Sequence, residues 1–159
     1  MRSGFSRKER FLKGKMDKPG SDPSGGQRLL FTTADGGLEA WGRSRKALFR
    51  QALRAFARIL ASTGPVGTER ELPFVMEAPT AEGLLVKILN ESLYLWETRQ
   101  GLVLDARFET LTGGRGRGAF LLCSPEGRAP RYEVKAVTYH GLRLRHCRKY
   151  WRARVIVDL

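Results

Sequence analysis

Hydrophobic and polar positions alternate most cleanly at the end of the chain. There Trp151, Ala153, Val155 and Val157 are interleaved with Arg152, Arg154, Ile156 and Asp158. A period of two predicts a β-strand with one buried face, and the β-branched Val155-Ile156-Val157 suits a strand held inside a sheet. Residues 29–42 predict two short strands joined around Thr33-Ala34-Asp35-Gly36-Gly37, where glycine permits the bend. The period then changes to that of a helix. Ser44 is a suitable N-cap, Leu48, Phe49, Leu53, Phe56, Ile59 and Leu60 make one apolar side, and Ser62-Thr63-Gly64-Pro65 stops the helix after about Ala61. Residues 66–78 predict a strand, with Pro73 pointing to an edge or a bulge. Pro79-Thr80 opens a second helix, Ala81 to Thr98, ended by Gln100-Gly101; its broader apolar face predicts the more buried helix. Strands are expected at 103–111, 119–123, 132–144 and 151–158. This order predicts an α+β fold, a mixed or largely antiparallel sheet with two helices packed on one face.

Composition adds partners rather than fold. The 159-residue chain carries a formal charge of +13. Residues 1–27 are rich in Lys, Arg, Gly, Ser and Pro and cannot bury enough surface to offset their ordering entropy, so they read as a disordered basic arm before one domain, 28–159. From residue 29 onward 21 Lys/Arg face 13 Asp/Glu, so the domain itself is basic and suits nucleic acid or an acidic protein surface as neighbour. Cys123 and Cys147 lack zinc-ligand spacing and fit reduced thiols in a cytoplasmic protein. No run approaches a membrane span, and the basic start lacks the apolar stretch of a secretory signal.

Several residues invite chemistry. A strand ending at Asp158 fixes its carboxylate beside the α-carboxylate of Leu159, and two such groups repel unless a cation or donors lie between them. A hard, oxygen-seeking ion such as Ca²⁺ or Mg²⁺ answers this if a third acidic group arrives from elsewhere; a solvated strand end is the alternative. Asp35 sits at a bend, where it either caps a turn or points into a site. On the first helix Lys46, Arg50, Arg54 and Arg58 stack every four residues, and no acid lies between Ser44 and Ala61. Such like-charge pairs each cost a few tenths of a kcal/mol, so the stripe is either kept for an anionic partner or simply solvated. The run Gly113-Gly114-Arg115-Gly116-Arg117-Gly118 lacks the Gly-Lys-Ser/Thr close of a phosphate loop and predicts a basic hairpin turn. His140 has no Ser, Cys or carboxylate partner nearby in sequence and reads as structural. Too few carboxylates accompany Asp35 and Asp158 for a two-metal hydrolase, and no general base stands out.

Taken together, three blocks resemble the archease family. Thr33-Ala34-Asp35 with Ala40-Trp41-Gly42 is similar to that family's His-Thr-Ala-Asp turn and its Ala-aromatic-Gly close. Residues 134–140, Val-Lys-Ala-Val-Thr-Tyr-His, and the ending Trp151 to Leu159 match the other two. The resemblance covers about 28–159. It implies a cytosolic activator of the RtcB-type RNA ligase, one that promotes guanylylation and multiple turnover in tRNA splicing and RNA repair without being the ligase. It implies a divalent-metal site, Ca²⁺ in the first place with Mg²⁺ or Mn²⁺ as alternatives, at Asp35, Asp158 and the carboxylate of Leu159. Lys135, in the second block, is the next functional candidate, for a phosphate or an acidic ligase surface. Arg50, Arg54 and Arg58 would add contacts to ligase or RNA. The chain departs from the family in having Thr32 for histidine, Gly36 for a hydrophobic residue, Lys87 for aspartate and a basic first helix for an acidic one. Those departures keep a second reading open, a basic RNA-binding module on the archease fold without the metal or the ligase role.

Overall fold

The computed structural model describes residues 25–31, 35–62 and 67–159. The first two strands, β1 (Gly25–Phe31) and β2 (Gly36–Gly42), precede helix α1 (Arg45–Leu60), strand β3 (Arg70–Glu77) and helix α2 (Ala81–Glu97). Strands β4 (Leu102–Thr112), β5 (Arg115–Cys123), β6 (Ala136–Val137), β7 (Arg143–Cys147) and β8 (Tyr150–Asp158) complete the chain. The expected basic arm lies outside the described residues except for Gly25, Gly26 and Gln27. Those three are not arm at all, because they pair with Gly42, Trp41 and Ala40 as the start of β1. The bend at 32–34 is likewise outside the described residues.

The α+β class holds, with every strand pair antiparallel, but the single sheet does not. A five-stranded sheet runs β1-β2-β8-β6, with β7 also on β8, and a three-stranded sheet runs β3-β5-β4. Both helices touch strands of both sheets, so they fill the space between two sheets instead of covering one face. That position explains why α1 is as buried as α2, ten residues in each, contrary to the expectation from apolar breadth. Leu48, Phe49, Leu53 and Ile59 of α1 and Leu84, Leu85, Ile88 and Leu89 of α2 are all fully buried. Helix starts follow the sequence: the Ser44 hydroxyl accepts from the Ala47 N–H (3.1 Å), and Thr80 accepts from Gly83 (3.0 Å).

Strand details follow side-chain physics. Pro73 lies in β3, an edge strand, where its missing N–H costs no ladder bond. The glycine-rich run forms the β4–β5 hairpin, with Thr112 paired to Arg115 across Gly113 (φ +56°). The strand expected over 132–144 is broken. Only Ala136–Val137 and Arg143–Cys147 pair with β8, because Gly141 (φ +65°) and the Leu142 N–H to Tyr139 carbonyl bond (3.1 Å) turn the chain between them. That turn leaves His140 exposed, so it is not the packed structural residue its sequence context suggested. Cys123 is buried and Cys147 exposed, both as free thiols. Among the described residues no helix is long and apolar enough to cross a membrane.

Candidate functional site

The central pairing of the larger sheet decides where the chain end goes. Strand β2 runs antiparallel to β8 with Gly36 opposite Val157. One residue further along the same register, Asp35 stands across from Asp158, and directly opposed residues carry their side chains on the same face. On the other side of β8, Ala136 is opposite Asp158, and the Lys135 N–H donates to the Asp158 carbonyl at 2.7 Å. The end is therefore seated on both flanks. Leu159 packs back toward β2, where a methyl group placed on Gly36 would stand 3.0 Å from its Cδ1. A side chain at position 36 would therefore crowd Phe31 (2.7 Å) as well as the terminal leucine, and glycine leaves room for both. Asp35, Asp158, Leu159 and Lys135 are all exposed and gather at this end of the sheet.

What this arrangement can hold follows from its donors. Among the described residues no three His, Cys, Asp or Glu side chains cluster closely enough to ligate a metal. Two side-chain carboxylates and the α-carboxylate are the donor set, all of them oxygen and anionic. Such a set suits a hard divalent ion that completes its shell with water, and no soft or borderline metal.

The helical stripe behaves differently from its sequence expectation. A carboxylate does reach it, from β4. A bulge at Leu104 re-aims the strand, since Val103 pairs with Leu122 and Asp105 with the next residue, Leu121. Asp105 then accepts from Arg50 (Nε to Oδ1 3.1 Å, Nη2 to Oδ2 3.0 Å) and from Arg54 (Nη2 to Oδ2 2.7 Å). Burial acts to raise the Asp105 pKa, but the bonds from Arg50 and Arg54, the Ala106 N–H and the Arg54 charge outweigh it and hold the carboxyl below its ordinary 3.8. Lys46 donates to the Glu109 carbonyl (3.1 Å), and the Arg58 carbonyl accepts from Arg131. The stripe fastens α1 to its neighbours, and its first two arginines share one carboxylate, which compensates their charge in part.

A basic surface lies elsewhere, on the outer face of the larger sheet. An open groove of about 650 Å³ is lined by Asp35 and Glu39 on one side and by Arg143, Arg145, Arg152 and Arg154 on the other. Sequence reasoning did not assign these four arginines. The signal available was the repeated Arg-x-Arg of period two at 143–145 and 152–154. Only the pairing of β7 with β8 shows that the two repeats stand side by side.

Comparison with known proteins agrees with this architecture. The Archease protein family (MTH1598/TM1083) matches residues 28–159. Protein archease of Methanosarcina acetivorans is 31% identical over 145 residues, which are 86% of this chain and 99% of that protein. Protein archease of Archaeoglobus fulgidus is 31% identical over 134 residues, 83% of this chain and 98% of the relative. The solution structure of Methanobacterium thermoautotrophicum protein 1598 superposes with a TM-score of 0.63 at 29% identity, covering 84% of this chain and 98% of that one. The crystal structure of a Thermotoga maritima archease, described as a possible chaperone, shares the fold (TM-score 0.54, 19% identity, 91% and 98% covered). With the family match spanning the whole two-sheet domain and its C-terminal strand, this chain belongs to the archease family.

Proposed function

We propose that this protein activates an RtcB-type RNA ligase, promoting guanylylation of the ligase and its repeated turnover in tRNA splicing and RNA repair, and is not itself the ligase. The observation that supports the reading is the β2–β8 register, which opposes Asp35 to Asp158 beside the terminal carboxylate. Asp35, Asp158 and Leu159 would hold the divalent ion, Ca²⁺ first and Mg²⁺ or Mn²⁺ otherwise. Such an ion supplies positive charge to a nucleotide phosphate.

The chain's own residues have definable parts in this. Strand β8, held between β2 and β6, would keep the backbone that carries Asp158 and Leu159 seated beside Asp35 against the repulsion of their carboxylates. Lys135, tied by its backbone to Asp158, extends an exposed ammonium from the same sheet end toward a phosphate or an acidic ligase surface. No general base or nucleophile is asked of this protein.

The test is reconstitution with the ligase of the same organism, reading ligase guanylylation and ligation over many turnovers. Asp35→Asn, Asp158→Asn and removal of residues 158–159 should each abolish stimulation while circular dichroism stays unchanged. A chelator should have the same effect on the unmodified protein. Full stimulation by the truncated chain would refute the proposal.

A further inference from the structure

The β7–β8 hairpin is unusually basic: residues 142–157 contain six Lys/Arg and no Asp or Glu. Register places Arg143 directly opposite Arg154 and Arg145 directly opposite Arg152, so four guanidinium groups share the outer face. All four are exposed, and none takes part in a salt bridge among the described residues. Like charges directly opposite in a sheet destabilise it. Among the described residues no carboxylate is hydrogen-bonded to these four as Asp105 is to the α1 arginines, although Glu39 stands opposite Arg154 and Arg152 lies over the Trp41 ring (5.4 Å). Of the two acids lining the groove, Glu39 is engaged by the buried Arg28. Tyr150 lies on the same face of β8 as Arg152 and Arg154, and its ring is covered by Arg43 (5.8 Å) and Arg152 (5.9 Å).

We infer that this groove binds single-stranded nucleic acid, gripping consecutive phosphodiesters with Arg143, Arg145, Arg152 and Arg154. The inference does not depend on the ligase reading. Guanidinium groups at alternate strand positions are about 6.8 Å apart along the chain. The register makes this a two-by-two array of four positive charges, more than the one or two arginines that satisfy an isolated phosphate, so it suits a stretch of strand that brings several phosphates. A recessed sheet face backed by the core also accepts a strand, whereas a duplex calls for a protein element that enters its groove.

The experiment measures fluorescence anisotropy of a labelled, mixed-sequence single-stranded RNA with the full chain, in chelator and without ligase, over a range of salt. Four phosphate contacts predict a slope of log K against log salt of about −3, at roughly 0.7 per contact. Arg143→Gln/Arg145→Gln and Arg152→Gln/Arg154→Gln should each cut it by about 1.4 and weaken binding. Arg115→Gln/Arg117→Gln, which removes the same charge from the exposed part of the other sheet, should leave the slope unchanged. The Arg143→Gln/Arg145→Gln variant should not lose thermal stability, because it removes repulsion without removing a ring contact or an opposed acid. A DNA strand of the same sequence bound equally well would support a backbone grip. Slopes unaltered by the groove substitutions would overturn the inference. So would an equal loss in the control variant, tighter binding of duplex RNA, or equal competition by polyglutamate, which would indicate an acidic protein surface instead. Because neither metal nor ligase is present, failure here leaves the activator proposal standing, and failure of stimulation leaves this one standing.

Discussion

Replacing Asp105 by alanine tests whether the α1 arginines are structural. The Asp105 side chain is 15% exposed, while Arg50 and Arg54 are 44% and 33% exposed. Hydrogen bonds to charged groups contribute about 1.5–3 kcal/mol each when shielded. Here half-open guanidinium groups discount that toward the surface value of under about 1 kcal/mol per pair. Loss of two such pairs, together with a like-charge Arg50–Arg54 repulsion of a few tenths of a kcal/mol, gives about 2 kcal/mol in all. For a domain of this size that lowers Tm by about 5–10 °C, to be read by calorimetry or circular dichroism. The pH dependence fixes the sign independently. A carboxyl whose folded pKa lies below 3.8 contributes its full stabilisation above that value and loses it as pH falls through the folded pKa. The stability gap between the unmodified protein and Asp105→Asn should therefore be constant near neutrality and close below about pH 4. A drop in Tm of less than 2 °C for Asp105→Ala would refute the argument. A stability gap that widened in acid would refute it too.

Three further outcomes follow from single observations. Asn90 donates to the Val137 carbonyl (3.1 Å) and accepts from its N–H (3.0 Å), so Asn90→Ala should cost about 2 kcal/mol and speed amide exchange at Val137, beside the proposed site. The Ser92 hydroxyl is fully buried within α2 without a hydrogen-bond partner among the described residues, so Ser92→Ala should leave chemical denaturation midpoints unchanged or raise stability by up to about 1 kcal/mol. If the terminal carboxylates hold Ca²⁺, saturating ion at about a hundred times its Kd should stabilise the protein by roughly 2.7 kcal/mol, seen as a thermal shift that Asp158→Asn abolishes.

Much of the fold was legible because local rules and tertiary packing agree. Ser44 and Thr80 cap the two helices as their types and positions required, and the apolar side of α1 is the side that is buried. The alternation at 151–158 became β8 with Ala153, Val155 and Val157 inside. The family was likewise readable before any coordinates, since motifs of fixed spacing survive in one dimension. Other features depend on which residues become neighbours across long separations. Periodicity gives a strand its buried face but not its partners, so the division into two sheets with both helices between them was invisible. The same limit applied to charge. No acid near α1 in sequence suggested an uncompensated stripe, whereas Asp105 meets it from 51 positions beyond Arg54 through a bulge in β4. Conversely, two unremarked Arg-x-Arg repeats become one cationic face only when a turn at Arg148-Lys149 folds β7 onto β8. Side-chain type and spacing are written in the chain; the sign of the field at a surface is a sum over neighbours, which tertiary structure alone supplies.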